Sequence, residues 1–250
     1  PQLEKDYEKE IRDLFERGDA RWLRPEEIDE PYAFYMPHRP VVRPDKETTK
    51  IRPVFDASAR TKDGVSLNSE ILRTPVLHPA LTGILLRFRM KPVGLTGDIS
   101  KMFLRMRVIP EHVKYQRFLA RPDPDGPIRH EAIEKVAFGV ADSPYRAMES
   151  VKRTVEEHKE AYPEAAEELT ANLYVDDLLT GAETEAAAVK LQKDCVTLLN
   201  KAGLPMRKWC SNSPAVLEQI PEEERGETSA LLLTGGLQSE VEGETPENCS

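Results

Sequence analysis

Tyr174-Val175-Asp176-Asp177 decides how this chain is read, because two adjacent carboxylates close an otherwise apolar stretch. Ahead of them Ala171, Leu173 and Val175 alternate with Asn172 and Tyr174, the period-2 pattern of a half-buried strand. Behind them Leu178-Leu179-Thr180 runs to Gly181, a returning strand and its end, so the acids sit at the tip of a hairpin. Two carboxylates ~4 Å apart at an effective dielectric near 20 repel by ~4 kcal/mol unless something cationic lies between them. A hard divalent ion resolves that cost, since carboxylate oxygens are its natural ligands. An acidic turn without a ligand is the competing reading, because Asp favours turns.

A third carboxylate bears on that choice. Val93-Gly94-Leu95-Thr96-Gly97-Asp98-Ile99 is a short apolar run, preceded by Pro92 and ending on an Asp. Alone, Asp98 reads as a strand-end turn former. With Asp176 and Asp177 it makes three carboxylates from two strands. Such a set can hold two Mg²⁺ ions ~3.5–4 Å apart and stabilise both attacking and leaving oxygens.

Composition frames the rest. A chain of 250 residues, 39% hydrophobic and 32% charged, allows one domain of ordinary size or one with a subdomain. No run approaches ~18 consecutive apolar residues, and the acidic, amphipathic N-terminus is unlike a signal peptide. Cys195, Cys210 and Cys249 form no CxxC pair, which fits free thiols in a reducing compartment and gives no zinc site. A first residue that is Pro1 and not Met leads us to expect a piece of a longer polyprotein. The net charge of −9 looks wrong for a nucleic-acid enzyme until it is resolved by segment. Residues 31–130 carry 18 basic and 9 acidic groups, whereas residues 131–250 carry 11 and 24. A local excess of positive charge in an acidic chain points to a phosphate-tracking surface, with a solvated face as the alternative.

Periodicity places the motifs. Leu3, Tyr7, Ile11, Leu14 and Phe15 predict a lead-in helix ending near Gly18, and Pro25-Glu26-Glu27 can open a short second one. Residues 38–56 read as a hairpin whose return strand puts Ile51, Pro53 and Phe55 on one face and Arg52 and Val54 on the other. Arg52 lies within that strand, where a guanidinium fork suits bidentate phosphate contact. Lys46 and Lys50 cluster near the same hairpin and are also readable as a solvated basic turn. Ser143-Pro144 opens a helix, with Ser143 as its cap and Met148, Val151 and Val155 facing inward. A second helix runs from about Glu185 to Ala202, with Val189, Val196 and Leu199 inward, and Gly203 stops it. The alternation predicts an α+β fold, a sheet with helices on one face.

Eight segments in unbroken order, over about residues 5–220, resemble the reverse transcriptase of BEL/Pao-type LTR retrotransposons. They are Tyr35-Met36-Pro37-His38, the run from Thr48 to Ser58, Ser66-Leu67-Asn68, and Leu85-Leu86-Arg87-Phe88-Arg89. Gly97 to Phe103 follows, then Phe138-Gly139 with Ser143-Pro144-Tyr145, Tyr174 to Gly181, and Arg207 to Asn212. The resemblance implies a polymerase palm, with a ferredoxin-like antiparallel sheet and helices on one face, joined to fingers. Residues 1–30 would lead in, 31–92 with part of 110–140 form fingers, 93–220 form the palm, and 221–250 a disordered acidic tail. No thumb or ribonuclease H segment of the polyprotein is recognised. The implied activity is RNA-directed DNA polymerisation on a primed RNA or DNA template with dNTPs, in the cytoplasm or in virus-like particles, with no membrane.

The resemblance also implies roles. Asp98 and Asp176 bridge two Mg²⁺ ions, for which Mn²⁺ can substitute; Asp177 is a weaker ligand and the Ile99 carbonyl completes a shell. Phe103, five residues past Asp98, blocks a ribose 2′-hydroxyl, an ordinary core Phe being the alternative. Lys46 and Arg52 are the candidate contacts to the nucleotide. Lys208 can protonate departing pyrophosphate, a surface basic patch being the alternative, and Arg207 cannot act as a proton donor. Two departures stand out. Phe138 precedes Gly139 where many retroviral-type polymerases have Gln, and Asp142 puts an acid close to the expected nucleotide, or serves as a helix cap. A truncated relic with weak nucleic-acid binding is the alternative function, and a viral RNA-dependent RNA polymerase a third, against which Phe103 speaks.

Overall fold

The computed structural model describes residues 2–42, 51–121 and 126–226. The chain opens with α1 (Gln2–Glu16), which buries Ile11 and Leu14 while Leu3 stays exposed. Gly18, at φ 68°, turns it into β1 (Ala20–Trp22) and the short α2 (Pro25–Ile28). A hairpin of β2 (His38–Val42) and β3 (Ile51–Phe55) follows, then α3 (Leu67–Glu70) and α4 (Leu81–Arg89). Next come β4 (Val93–Ile99), α5 (Pro110–Val113), β5 (Arg117–Ala120) and β6 (Arg129–Ile133). The last third holds α6 (Ser143–His158), α7 (Pro163–Asn172), β7 (Leu173–Tyr174), β8 (Asp177–Ala182), α8 (Glu185–Asn200), β9 (Met206–Ser211) and α9 (Pro214–Glu218).

These strands form three antiparallel sheets, ordered β1-β6-β5, β2-β3 and β7-β8-β4-β9. With α5, β5 and β6 set aside as an insertion and α6 and α7 taken together as one helical connection, the third sheet runs β4, α6–α7, then β7 and β8, α8, β9. That is a βαββαβ unit with β4 and β8 at its centre. Helices are needed because the strands bury one apolar face. Leu95, Ile99, Leu173, Leu178, Met206 and Trp209 share one core with Met148, Val151, Leu169, Leu191 and Leu198 from the helices. A second core joins α1 to the hairpin and the three-stranded sheet through Ile11, Leu14, Met36, Phe55, Phe118 and Ile133. His38 Nε2 lies 2.7 Å from the Leu119 carbonyl, so it donates there and Nδ1 accepts from the Tyr7 hydroxyl at 2.5 Å. That relay ties helix, hairpin and sheet together.

Several expectations need correction. Residues 171–172 are not strand: α7 extends to Asn172 and leaves β7 only two residues. Pro at the start of a run rich in Ala and Glu favours helix, and that local preference overrides the short alternation. The cap of α6 is Asp142, not Ser143, whose hydroxyl instead donates to the Ala137 carbonyl at 2.7 Å. On α8 the fully buried positions are Ala188, Leu191, Gln192, Cys195, Leu198 and Leu199, with Val189 and Val196 only partly covered. Residues 221–226 pack on β9, where the Gly226 N–H donates to the Trp209 carbonyl at 2.8 Å. The rest of the expected tail, with Cys249, lies outside the described residues, as do Lys46 and Lys50. Among the described residues no helix is long and apolar enough to cross a membrane.

Candidate active site

Tyr174 pairs with Asp177 across the β7–β8 hairpin, so Val175 and Asp176 are its two turn residues. Val175 adopts φ 59°, a left-handed conformation that a β-branched side chain resists at a cost of about 1–3 kcal/mol. The surroundings impose it. The Ile99 N–H donates to the Asp176 carbonyl at 2.8 Å, and the Tyr174 ring meets His78 edge-on at 4.5 Å. Behind the hairpin, Glu168 accepts from Asn172 Nδ2 at 2.6 Å and from the Thr180 hydroxyl at 2.5 Å. Arg87 donates to Asn172 Oδ1 at 2.8 Å and to the Ala171 carbonyl, closing the network from α4. Asn172 and Thr180 are buried, so these bonds form where an unpaired polar group would be costly.

The same register brings the acids together. Asp98 lies directly opposite Asp177 on neighbouring strands, where like charges destabilise a sheet. Asp176 is half-buried, and burial followed by the Asp98 charge holds its carboxyl above the usual carboxylate range. Asp177 is pushed up to about 6 by partial burial, then by Asp176 and Asp98, with Lys208 opposing. Three hard oxygen donors with too little positive charge among them suit a divalent cation in kind. Among the described residues, however, no group of three acidic, His or Cys side chains converges to hold a metal ion.

Lys208 also approaches the cluster. Between Thr96 opposite Cys210 and Asp98 opposite Arg207, β9 carries one residue more than β4. Lys208 sits in this bulge at φ 54°. A bulge re-aims a side chain, and here Lys208 Nζ reaches Asp98 Oδ2 at 2.9 Å although the lysine is 67% exposed. Gly97 permits the arrangement: a Cβ there would stand 2.9 Å from the buried Trp209 ring. Arg207 turns away to Glu224 in the segment that follows α9.

Phe103 lies in a 3₁₀ turn after Lys101, half-buried, its ring perpendicular to Phe138 with centroids 5.0 Å apart. Phe138 is exposed beside Gly139, whose φ of 92° and close approach to the Phe55 carbonyl exclude any side chain. Asn68 locks that turn, donating to the Gly139 carbonyl at 2.9 Å and accepting from the Ala141 N–H at 2.8 Å. The turn is thereby fastened to the end of β3, the strand that carries Arg52. Arg52 is exposed opposite Val41 and shares a face with Arg39, which the sequence reading left aside. Asp142 pairs with Arg146 Nη2 at 2.6 Å, which gives that acid a local partner. A cavity of about 580 Å³ between Phe34, Leu67, Val108, Tyr115 and Val140 touches none of the three aspartates. The three aspartates stand at one end of the four-stranded sheet instead.

The structure thus brings Asp98, Asp176, Asp177 and Lys208 to one end of the four-stranded sheet. Phe103 lies just past β4, and Arg52 stands on the separate hairpin. Sequence reasoning missed the support behind the hairpin. The i, i+4 spacing of Glu168 and Asn172 was its available signal.

No family model matches the chain, and no curated protein sequence does. The fold is similar to the crystal structure of native Prototype Foamy Virus Protease-Reverse Transcriptase, with a TM-score of 0.61 at 19% identity over 84% of this chain. It is also similar to a selenomethionine-labelled CSH mutant of that protein, with a TM-score of 0.60 at 18% identity over 82%. The chain spans about a quarter of the length of these structures, 24% and 23%.

Proposed function

We propose that this chain is the fingers and palm region of a reverse transcriptase of BEL/Pao retrotransposon type, acting in the cytoplasm on a primed RNA or DNA template with dNTPs. The reading is supported above all by Asp98 and the Asp176-Asp177 pair meeting at one end of a βαββαβ sheet. Similarity of fold to a reverse transcriptase adds to it. Residues 31–92 serve as fingers and 93–220 as palm. Asp98 and Asp176 would hold two Mg²⁺ ions, with Asp177 and the Ile99 carbonyl assisting. When bound, the ions lower the pKa of the primer 3′-hydroxyl and neutralise charge on the triphosphate. The Arg52 guanidinium, presented on an exposed strand face, grips phosphate oxygens bidentately, and Lys46, outside the described residues, adds positive charge. Lys208 Nζ passes a proton to the departing pyrophosphate oxygen.

Phe103 closes the space where a ribose 2′-hydroxyl would lie, backed by Phe138. Phe103→Val is expected to raise ribonucleotide incorporation at least about tenfold relative to deoxynucleotide, a discrimination of the size one steric contact supplies. Unchanged selectivity in single-nucleotide extension would remove Phe103 from this role.

The decisive assay is Mg²⁺-dependent dTTP incorporation on oligo(dT)-primed poly(rA), with Asp176→Ala beside wild type. Incorporation by wild type alone supports the assignment. The unconverged carboxylates favour a second reading, a relic with at most weak nucleic-acid binding. Filter binding of the primed template without incorporation by either protein would support that one.

A further inference from the structure

Asp98 has a cation beside it already. Lys208 reaches it from a bulge that puts a non-glycine residue at positive φ. That bulge is braced on both sides. Trp209 fills the space above Gly97, and Gly226 lies so close to the Lys208 carbonyl and Cys210 Sγ that a Cβ there would stand 2.7 Å from each. Arg207, the direct cross-strand partner of Asp98, is drawn off to Glu224, so of the two neighbouring cations only the lysine is aimed at the cluster. Lys9–Asp13 and Lys190–Asp194 are similarly exposed ion pairs, but each spans one helix turn. Lys208 instead reaches Asp98 from a neighbouring strand, out of the bulge, toward the aspartate cluster.

We infer that Lys208 is the resident counter-ion of the aspartate cluster and competes with divalent metal for Asp98, so that loading the site requires the ammonium to swing away. This rests on the proposed function and deepens it. Until then one Asp98 oxygen belongs to the lysine. Once displaced, Nζ is released beside the site, where a proton donor for the leaving group is wanted. Metal loading and placement of the acid are then one event. Lys208 is a positioning residue in this sense, acting on Asp98 whether or not it later meets the pyrophosphate.

The test is Mn²⁺ binding to the full chain, read from the free-Mn²⁺ electron paramagnetic resonance signal without nucleotide or template. Lys208→Ala is expected to bind Mn²⁺ about fivefold more tightly than wild type, the scale of one exposed ion pair. Lys208→Arg should restore the wild-type affinity. Lys101→Ala, which removes an exposed charge three residues from Asp98, should shift the affinity less than about twofold, the control for long-range charge. In metal-free buffer Lys208→Ala should melt below wild type, and saturating Mn²⁺ should close that gap. Equal or weaker Mn²⁺ binding by Lys208→Ala, or an equal gain from Lys101→Ala, overturns the competition while leaving the metal site standing. No binding by any of the proteins overturns the metal site and the competition together.

Discussion

Asp176→Asn is expected to lose Mg²⁺-dependent primer extension by about a thousandfold or more while unfolding at a higher temperature than wild type in EDTA. The two effects share a cause. Burial and the neighbouring Asp98 hold the Asp176 carboxyl above the ordinary range, so its charge is tolerated and not favoured in the metal-free fold. Replacing it with a neutral isostere removes a charge that burial penalises and that Asp98 repels. Asp98→Asn should lose as much activity but gain less stability, because it also gives up the Lys208 ion pair. Primer extension and thermal melting followed by circular dichroism on the same preparations decide the matter. Retained extension by Asp176→Asn would remove it from the catalytic set. A lower melting temperature would mean that its carboxylate supports the fold, contrary to the electrostatics of the cluster.

The trade between activity and stability explains what could be read in advance. Two acids at a hairpin tip, and a third ending a glycine-bounded run, violate the rule that like charges keep apart, and such violations mark sites. The carboxylates were therefore legible from composition and strand period alone. The alternation of β3, with Ile51 and Phe55 buried and Arg52 exposed, was legible for the same reason: one face meets a core. What stayed hidden depends on register. Nothing in Arg207-Lys208-Trp209 announces a bulge, because the extra residue is defined only against β4 and against the ring that Gly97 admits. Nor does Phe138 announce Phe103; their contact spans two elements joined through Asn68 and Gly139. The strand expected at 171–175 failed where a period-2 pattern and a helix-forming run overlap, and the longer element won. Local patterns fall to periodicity; contacts between distant segments do not.

Between about pH 5 and pH 8.5 the wild-type protein is expected to lose roughly 4 kcal/mol of stability through Glu131, and Glu131→Gln to lose far less. Glu131 lies on β6 opposite Trp22 and Phe118, fully buried, and neither of its carboxylate oxygens has a hydrogen-bond partner among the described residues. Burial pushes its carboxyl up to about 8, with Arg129 weakly opposing. In the unfolded chain the same group ionises near 4.5. Between these values the unfolded state has released the proton that the folded state still holds, so stability falls as pH rises. The contribution is complete below about 4.5 and gone above about 8. Asp176 and Asp177 act with the same sign in both proteins, so the difference between wild type and Glu131→Gln isolates the share of the decline that belongs to Glu131. Glu27, held well below the usual range by Arg21, changes only in acid. Urea unfolding at about pH 5, 6.5 and 8.5 gives the slopes, and the comparison is of slopes because Gln introduces an amide with its own unmet bonds. A steep decline in wild type beside a shallow one in Glu131→Gln would place a neutral carboxyl inside the β1-β6-β5 sheet. Parallel declines would mean that the folded protein already accommodates the charge, which the lack of a partner for either oxygen among the described residues argues against.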